Sequence, residues 1–312
     1  MFSMGMEKLR GMRILITEDL HPTGIKMLED AGMELVHWDW QKLTDPSLPT
    51  DFDAIIGKQY FQCNQALIDR LLPRLKYVIT CGAGLDNIDL KYCAEKGIKV
   101  FNAPGSNAAS VAEHVVMAAL MVLRNLNQCQ KSVHAGRWDR FELAGNELMG
   151  KTFGIIGLGA IGRHLVHRLH AFSVRILYTD IRRDMESELK YGLEFVDQDT
   201  LLAESDIVTL HAWLDDSTYH LMNDETIGKM KDGAILINAA RGPLVDQEAL
   251  VRALEAGKLR GAAIDVYEQE PPEYQPLIDR EDVVFTPHNS GVPYEGYIRM
   301  NTWAITNFFN GA

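Results

Sequence analysis

Arg241, Glu270 and His288 have side chains and spacing suited to one piece of chemistry. Arg241 follows the apolar run Ala234–Ile237, Glu270 follows Ala262–Val266, and His288 closes Val283–Thr286. A histidine and a carboxylate at neighbouring strand ends form an acid/base pair, in which the carboxylate orients the imidazole and stabilises its cation. A guanidinium just past a buried strand can hold a carboxylate through two parallel hydrogen bonds. Each residue also has an ordinary structural reading. Arg241 can pair with Asp246 or cap a helix, Glu270 can be solvated with Glu268 or Glu273 as the functional acid, and His288 can be a core histidine.

A second motif gives the three a common purpose. Gly157-Leu158-Gly159-Ala160-Ile161-Gly162 follows the apolar run Thr152–Ile156 and opens the helical pattern Arg163–Leu169. A second apolar run, Val174–Tyr178, then leads to Asp180. This strand–turn–helix–strand–acid unit is the context that gives a GxGxxG its meaning. Gly157 permits a tight turn, Gly159 lets backbone approach a pyrophosphate, and Gly162 lets the helix pack on the sheet. The helix N-terminus offers amide donors to phosphate. Asp180 favours a ribose diol and so NAD, while Arg182 and Arg183, two and three residues on, keep NADP open. Behind such a fingerprint, Arg, Glu and His are the set that hydride transfer to a 2-oxo acid requires.

These residues need elements to hold them. Strands and helices alternate throughout, which predicts an α/β protein of parallel sheets flanked by helices. The fingerprint lies in mid-chain, so the part before it must form a domain of its own. Strands are expected there at Arg13–Thr17, Leu35–Trp38, Ala54–Ile56, Tyr77–Thr80 and Lys99–Phe101, with a helix Gln65–Leu72 capped by Asn64. A long apolar helix is expected from Asn107 to Asn125, its alanines and valines suited to a domain junction or a dimer interface. Later strands fall at Leu193–Val196, Asp206–Leu210, Ala234–Ile237, Ala262–Val266 and Val283–Thr286. The last segment, Tyr294–Phe309, is a helix without a strand of its own and is expected to return to the first domain.

Composition narrows the partners. The 312 residues are enough for two domains with proper cores. A net charge of −12 argues against non-specific nucleic-acid binding, which needs basic surface. Cys63, Cys81, Cys93 and Cys129 form no CxxC and no metal-ligand spacing, so no metal is expected and reduced thiols in the cytoplasm are. No stretch resembles a signal peptide or a membrane span. Methionines at 1, 4, 6 and 12 leave several candidate starts.

Together the segments resemble the D-isomer-specific 2-hydroxyacid dehydrogenases over nearly the whole chain, in a short form without the regulatory domain of longer phosphoglycerate dehydrogenases. Cys81-Gly82-Ala83-Gly84-Leu85-Asp86-Asn87-Ile88-Asp89 resembles the family's substrate-carboxylate loop, and Asn102–Asn107 with Val111-Ala112-Glu113 its domain crossing. The segments around Arg241, Glu270 and His288 resemble its three signature regions. The resemblance implies a Rossmann NAD-binding domain, 104–289, inserted into a flavodoxin-like substrate domain, 1–103 and 290–312, with the active site in the cleft between them. It implies His288 as proton donor and acceptor, Glu270 as its hydrogen-bond partner, and Arg241 with the backbone of Ala83 and Gly84 on the substrate carboxylate. Asp265 and the Ala239 carbonyl would meet the nicotinamide, and Ala160 and Ile161 the pyrophosphate. His211, Ala212, Thr218 and Gly291 would line the cofactor. A small 2-oxo or 2-hydroxy acid substrate and a homodimer are implied likewise.

The sequence departs from the family after His211, where Ala212-Trp213-Leu214-Asp215-Asp216 replaces an apolar-Pro-Leu-Thr run, and after His288, at Asn289–Tyr294. The segment Ile56–Phe61 occupies the loop where phosphoglycerate dehydrogenases show an Arg-Ser start; Lys58 there can meet a phosphate, while Tyr60 with Phe61 points to a bulkier or more apolar group. Two further readings share the fold: a nucleotide-sensing, corepressor-like binding protein, and oxidation of a small anion such as phosphite.

Overall fold

The computed structural model describes residues 7–312. The candidate starts Met1, Met4 and Met6, and the beginning of the expected first domain, lie outside the described residues. The chain forms two units, one of residues up to Asn107 with Val292–Ala312, the other Ala108–Gly291.

The first unit is built on a five-stranded parallel sheet in the order β2-β1-β3-β4-β5. Its strands are β1 (Arg13–Ile16), β2 (Glu34–His37), β3 (Ala54–Gly57), β4 (Tyr77–Thr80) and β5 (Lys99–Phe101). β3 is buried along its whole length, as expected of a strand covered by helices on both faces. Helices α1 (Pro22–Asp30), α2 (Gln65–Leu71) and α3 (Leu90–Glu95) supply the cover. The Asn64 side chain accepts from the Leu67 amide at 3.1 Å, the cap expected for α2.

The terminal helix, here α12 (Tyr294–Gly311), belongs to this unit. It buries Met300, Ala304, Ile305 and Phe308, spaced as one helical face, against α1, β4 and β5. Phe308 is fully buried and stands edge-on to Tyr77 and Phe101, at 5.3 and 5.7 Å between centroids. Asn301, buried on the same face, accepts the His21 amide at 3.0 Å and so holds the start of α1.

The second unit carries a seven-stranded parallel sheet in the order β12-β11-β10-β9-β6-β7-β8. Its strands are β6 (Thr152–Ile156), β7 (Arg175–Thr179), β8 (Glu194–Phe195), β9 (Ile207–Leu210), β10 (Ala234–Asn238), β11 (Leu259–Ile264) and β12 (Val283–Phe285). Chain order reverses between β6 and β9, which makes their carboxyl ends the switch point where such sheets bind ligands. The expected strand at Leu193–Val196 shrinks to two exposed residues at the sheet edge. It pairs with β7 alone, while Leu193 just before it is buried in the core.

Helix α4 (Ala108–Leu123) packs against α6 (Ala160–Leu169) and the sheet. Its small residues Ala112, Val115, Ala118 and Ala119 are fully buried there, within their own unit. These are the side chains that seat α4 on α6 and the sheet. Asn125, with φ 51°, separates α4 from α5 (Leu126–His134), a helix the sequence pattern did not disclose. Among the described residues no single helix is long and apolar enough to cross a membrane. Helices α7 (Met185–Tyr191), α8 (Gln198–Glu204), α9 (Asp224–Lys229), α10 (Gln247–Glu255) and α11 (Gln275–Ile278) complete the unit.

Removing the Phe308 ring leaves a cavity beneath α12 that its aromatic neighbours cannot close. Phe308→Ala is expected to lower the stability of the first unit by about 3–5 kcal/mol, measured as a shift in its denaturant midpoint.

Candidate active site

His288 and Glu270 meet directly. His288 Nδ1 lies 2.7 Å from Glu270 Oε2, and both side chains are about one-third exposed. Glu270 Oε1 accepts the Tyr267 amide at 3.2 Å. Burial works against a charge on Glu270, but the hydrogen bond and charge of His288 and the Tyr267 amide outweigh it and hold the carboxyl below its usual range. His288 Nε2 has no protein partner among the described residues, so the ring presents one nitrogen outward. Glu268, the alternative acid, is engaged elsewhere: its Oε1 accepts the Gln247 amide at 3.2 Å and lies 3.3 Å from His220 Nε2.

His288 sits at φ 50°, a left-handed conformation that costs a non-glycine residue on the order of 1 kcal/mol. Asp265 offsets this. Its carbonyl accepts the His288 amide at 2.8 Å, and its carboxylate accepts Thr286 Oγ1 at 2.7 Å, the Asn289 amide at 2.9 Å and the Ser290 amide at 3.1 Å. Asp265 is 1 % exposed, and every one of these bonds serves the turn that presents His288. Since the Thr286 hydroxyl donates to Asp265, it accepts from His114 Nε2 at 3.3 Å. Burial, which outweighs the pull of Asp265, lowers the pKa of His114.

Arg241 is placed by a neighbouring device. The Asn238 side chain accepts the Ala240 amide at 3.1 Å and donates to the Arg241 carbonyl at 2.8 Å, closing the turn after β10. The Asn238 carbonyl accepts the Asp265 amide at 3.0 Å, which ties this turn to the next. A Cβ on Gly242 would stand 1.9 Å from the Tyr267 carbonyl oxygen, so only glycine lets the Arg241 turn lie against the segment leading to Glu270. The Arg241 guanidinium donates to the Ala240 carbonyl at 2.6 Å. Asp246 is the N-cap of α10, accepting the Glu248 and Ala249 amides. Asn238, Gly242 and His114 were not singled out from sequence. The polar Asn238 directly after an apolar run, with a glycine four residues on, was the available signal for the first two.

The fingerprint turn forms between β6 and α6. Gly157 has φ +97°, and a Cβ there would meet the His211 carbonyl carbon at 2.7 Å and the Ala212 nitrogen at 2.8 Å. Around Gly159 the opposite holds: an added Cβ would meet nothing within 4 Å. Gly159 is the N-cap of α6 and offers no side chain to it, so the amides of the first turn, at Ala160, Ile161 and Gly162, lack a side-chain cap beside open space. That is the shape and polarity a pyrophosphate needs. Asp180 accepts the Leu158 amide at 2.6 Å and the Arg182 amide at 3.0 Å, one on each oxygen, which leaves acceptor capacity for a ribose diol. These residues fit a dinucleotide.

Other expected residues divide. Ala239 is buried at the end of β10. Ser290 and Gly291 are buried in the turn after His288. Thr218 turns inward, donating to the Trp213 carbonyl at 2.6 Å and accepting the Asp215 amide at 2.9 Å, so it closes its own loop. In the first unit the Ala83 carbonyl accepts from Asn102 Nδ2 at 2.7 Å, which fixes the loop of Ala83 and Gly84. Phe61 is fully buried in that unit's core, and therefore is packing rather than pocket. Tyr60 is 53 % exposed and stacks on Trp40 at 5.4 Å.

A dinucleotide cradle on a doubly wound sheet, with a histidine–carboxylate pair in the same unit, is the equipment of a nucleotide-dependent oxidoreductase. Residues 116–290 match the model of the D-isomer specific 2-hydroxyacid dehydrogenase NAD binding domain. Glyoxylate reductase of Thermofilum pendens is 40 % identical over 306 residues, which are 95 % of this chain and 90 % of that protein. D-3-phosphoglycerate dehydrogenase of Methanocaldococcus jannaschii is 39 % identical over 89 % of this chain, but this chain spans only 53 % of its length. D-lactate dehydrogenase of Aquifex aeolicus, solved with NAD and lactic acid, superposes with a TM-score of 0.83 at 28 % identity, covering 95 % of each chain. The chain belongs to the D-isomer specific 2-hydroxyacid dehydrogenase family, whose members are NAD-dependent oxidoreductases.

His211 gives this unit an acid-labile point. Burial lowers its pKa from 6.5 to about 4, and its Nδ1 is buried without a partner. The unfolded chain therefore binds the extra proton first as pH falls, so stability is full above about 6.5 and is lost progressively toward 4. The residue is partly covered rather than fully enclosed, so about 2 kcal/mol is at stake. His211→Gln is expected to flatten this part of the stability–pH curve, as followed by denaturant titration at pH 7, 5.5 and 4.5.

Proposed function

We propose that the protein reduces a short 2-oxo acid, of the size of glyoxylate, to its D-2-hydroxy acid, with His288 as the proton donor. The 2.7 Å contact between His288 Nδ1 and Glu270, which leaves Nε2 facing outward, carries this reading. NAD supplies or accepts the hydride when bound. His288 Nε2 protonates the carbonyl oxygen during reduction and takes the proton back in oxidation. Glu270 fixes the ring and faces its cation, and it keeps its own charge throughout the neutral range because protonation sets in only below the ordinary 4.5 of glutamate. Arg241 binds the substrate carboxylate together with the amides of Ala83 and Gly84. The cofactor is held at its pyrophosphate by Gly157, Gly159, Ala160, Ile161 and Gly162, at its ribose by Asp180, and along its length by the backbone near His211, Ala212 and Thr218. At the nicotinamide end Ala239, Asp265, His288 and Gly291 complete the set. A substrate domain of 1–103 and 290–312 and a cofactor domain of 104–289 divide this work.

The small substrate is supported by a glyoxylate reductase that is similar over almost its full length, and by the burial of Phe61, which takes that ring out of a pocket. Free Cys63, Cys81, Cys93 and Cys129 support a cytoplasmic setting. Trp138 and Phe141, 82 % and 78 % exposed beyond α5, support association of two copies through that arm rather than through the small residues of α4.

A screen of 2-oxo acids with NADH, followed at 340 nm, is expected to give turnover that His288→Ala lowers by about 10²–10⁴-fold and Glu270→Gln by about 10²-fold, a far larger effect than on the Kd for NADH. Full activity of both variants would overturn the assignment. Sedimentation velocity is expected to show a dimer that Trp138→Ser with Phe141→Ser converts to monomer. A parent protein that sediments as a monomer at micromolar concentration would refute the arm as an interface.

A further inference from the structure

Two arginines follow Asp180, and either is a potential partner for the 2′-phosphate that distinguishes NADP from NAD. Their side chains meet different fates. The Arg183 guanidinium forks onto Glu188, with Nε 2.9 and 3.2 Å from the two oxygens and Nη2 2.8 Å from Oε2. It also lies over the Phe195 ring, 5.8 Å from its centroid. Glu188 is itself anchored. Its side chain is only 13 % exposed, and Oε1 accepts the Tyr178 hydroxyl at 2.6 Å. The same hydroxyl accepts the Asp184 amide at 2.8 Å, which pins the start of α7. Arg183 and Tyr178 together hold the Glu188 carboxyl below its usual range. Swinging Arg183 toward a phosphate would break a two-point fork and leave the Glu188 carboxylate with the Tyr178 hydroxyl alone. Arg182 has an exposed side chain, and its backbone amide donates to Asp180. A phosphate drawn to it would sit beside that carboxylate.

We propose that Glu188 is a positioning residue for cofactor choice: by sequestering Arg183 it withholds the second cation that a 2′-phosphate needs, and so reinforces the NAD preference set by Asp180. Glu188 touches no cofactor in this arrangement; it acts through Arg183. The inference rests on the ribose lying at Asp180, as proposed above.

The test is equilibrium titration of NADH and NADPH, read by cofactor fluorescence without substrate. Glu188→Gln keeps the shape and the acceptor for Tyr178 but frees the guanidinium. It is expected to tighten NADPH at least fivefold while the Kd for NADH changes less than twofold. A loss of structure would weaken both cofactors together, and an unchanged ratio would leave Arg183 without a withheld role; either result overturns the proposal. Adding Arg183→Gln to Glu188→Gln should return the ratio to that of the parent, and a gain that persists would assign it to the lost charge alone. Arg183→Gln by itself, which needs no released guanidinium, should leave NADPH binding unchanged; weaker binding would mean that Arg183 already serves the phosphate. Asp180→Ala is titrated in parallel, and NADH binding equal to the parent's would overturn the placement beneath the inference.

Discussion

The buried carboxylate of Asp265 is the constraint on which the catalytic half of the second unit depends. A carboxylate taken out of water must find donors or cost several kcal/mol. Asp265 finds three, Thr286 Oγ1 and the amides of Asn289 and Ser290, and all three lie in the turn that carries His288. Its backbone finishes the work, with the carbonyl on the His288 amide and the amide on the Asn238 carbonyl. Two turns from different strands are thereby locked to one residue at the end of β11. The left-handed φ of His288 persists because the surrounding hydrogen bonds over-determine it.

Glycine plays the complementary part. At Gly242 and Gly157 the backbone passes so close to Tyr267 and to His211 that no side chain fits. In the first case the closeness brings the Arg241 turn against the Glu270 segment. In the second it seats the fingerprint turn on the adjoining strand end, leaving Gly159 facing open space. The site is thus set by contacts between turns at neighbouring strand ends, and the parallel sheet supplies the spacing. The polar side chains at its edge follow the same economy: Glu188 holds Arg183, Thr218 closes its own loop, and Glu268 faces His220.

Much of this was legible along the chain. The strands of both sheets stand within a residue or two of their apolar runs, with β8 and the early start of β11 as exceptions, because a strand buried on both faces has no room for polar interruption. Asn64 as a cap and the return of α12 to the first unit followed from local pattern and from the lack of a strand to accompany that helix. Other features were hidden because their signals are not local. Helix α5 lacks an apolar run, and Phe61 and Tyr60 are indistinguishable as neighbours in sequence although one is core and the other surface. The alanines and valines of α4 announce close packing, but composition cannot name the partner, which turned out to be α6.

The sequence by itself determined the class of chemistry: a dinucleotide turn from the spacing of three glycines, an acid at the next strand end, and an arginine, a glutamate and a histidine beyond three later strands. Those are matters of residue type and period, which short-range sterics and hydrophobic burial fix without reference to distant chain. Only the tertiary structure decided which glutamate meets His288, that Asp265 organises the histidine's turn, and that Arg183 is bound to Glu188. Each of those pairings joins groups that compete for several partners of equal chemistry, and the winner is settled by distance and burial, which exist only once the strands are side by side.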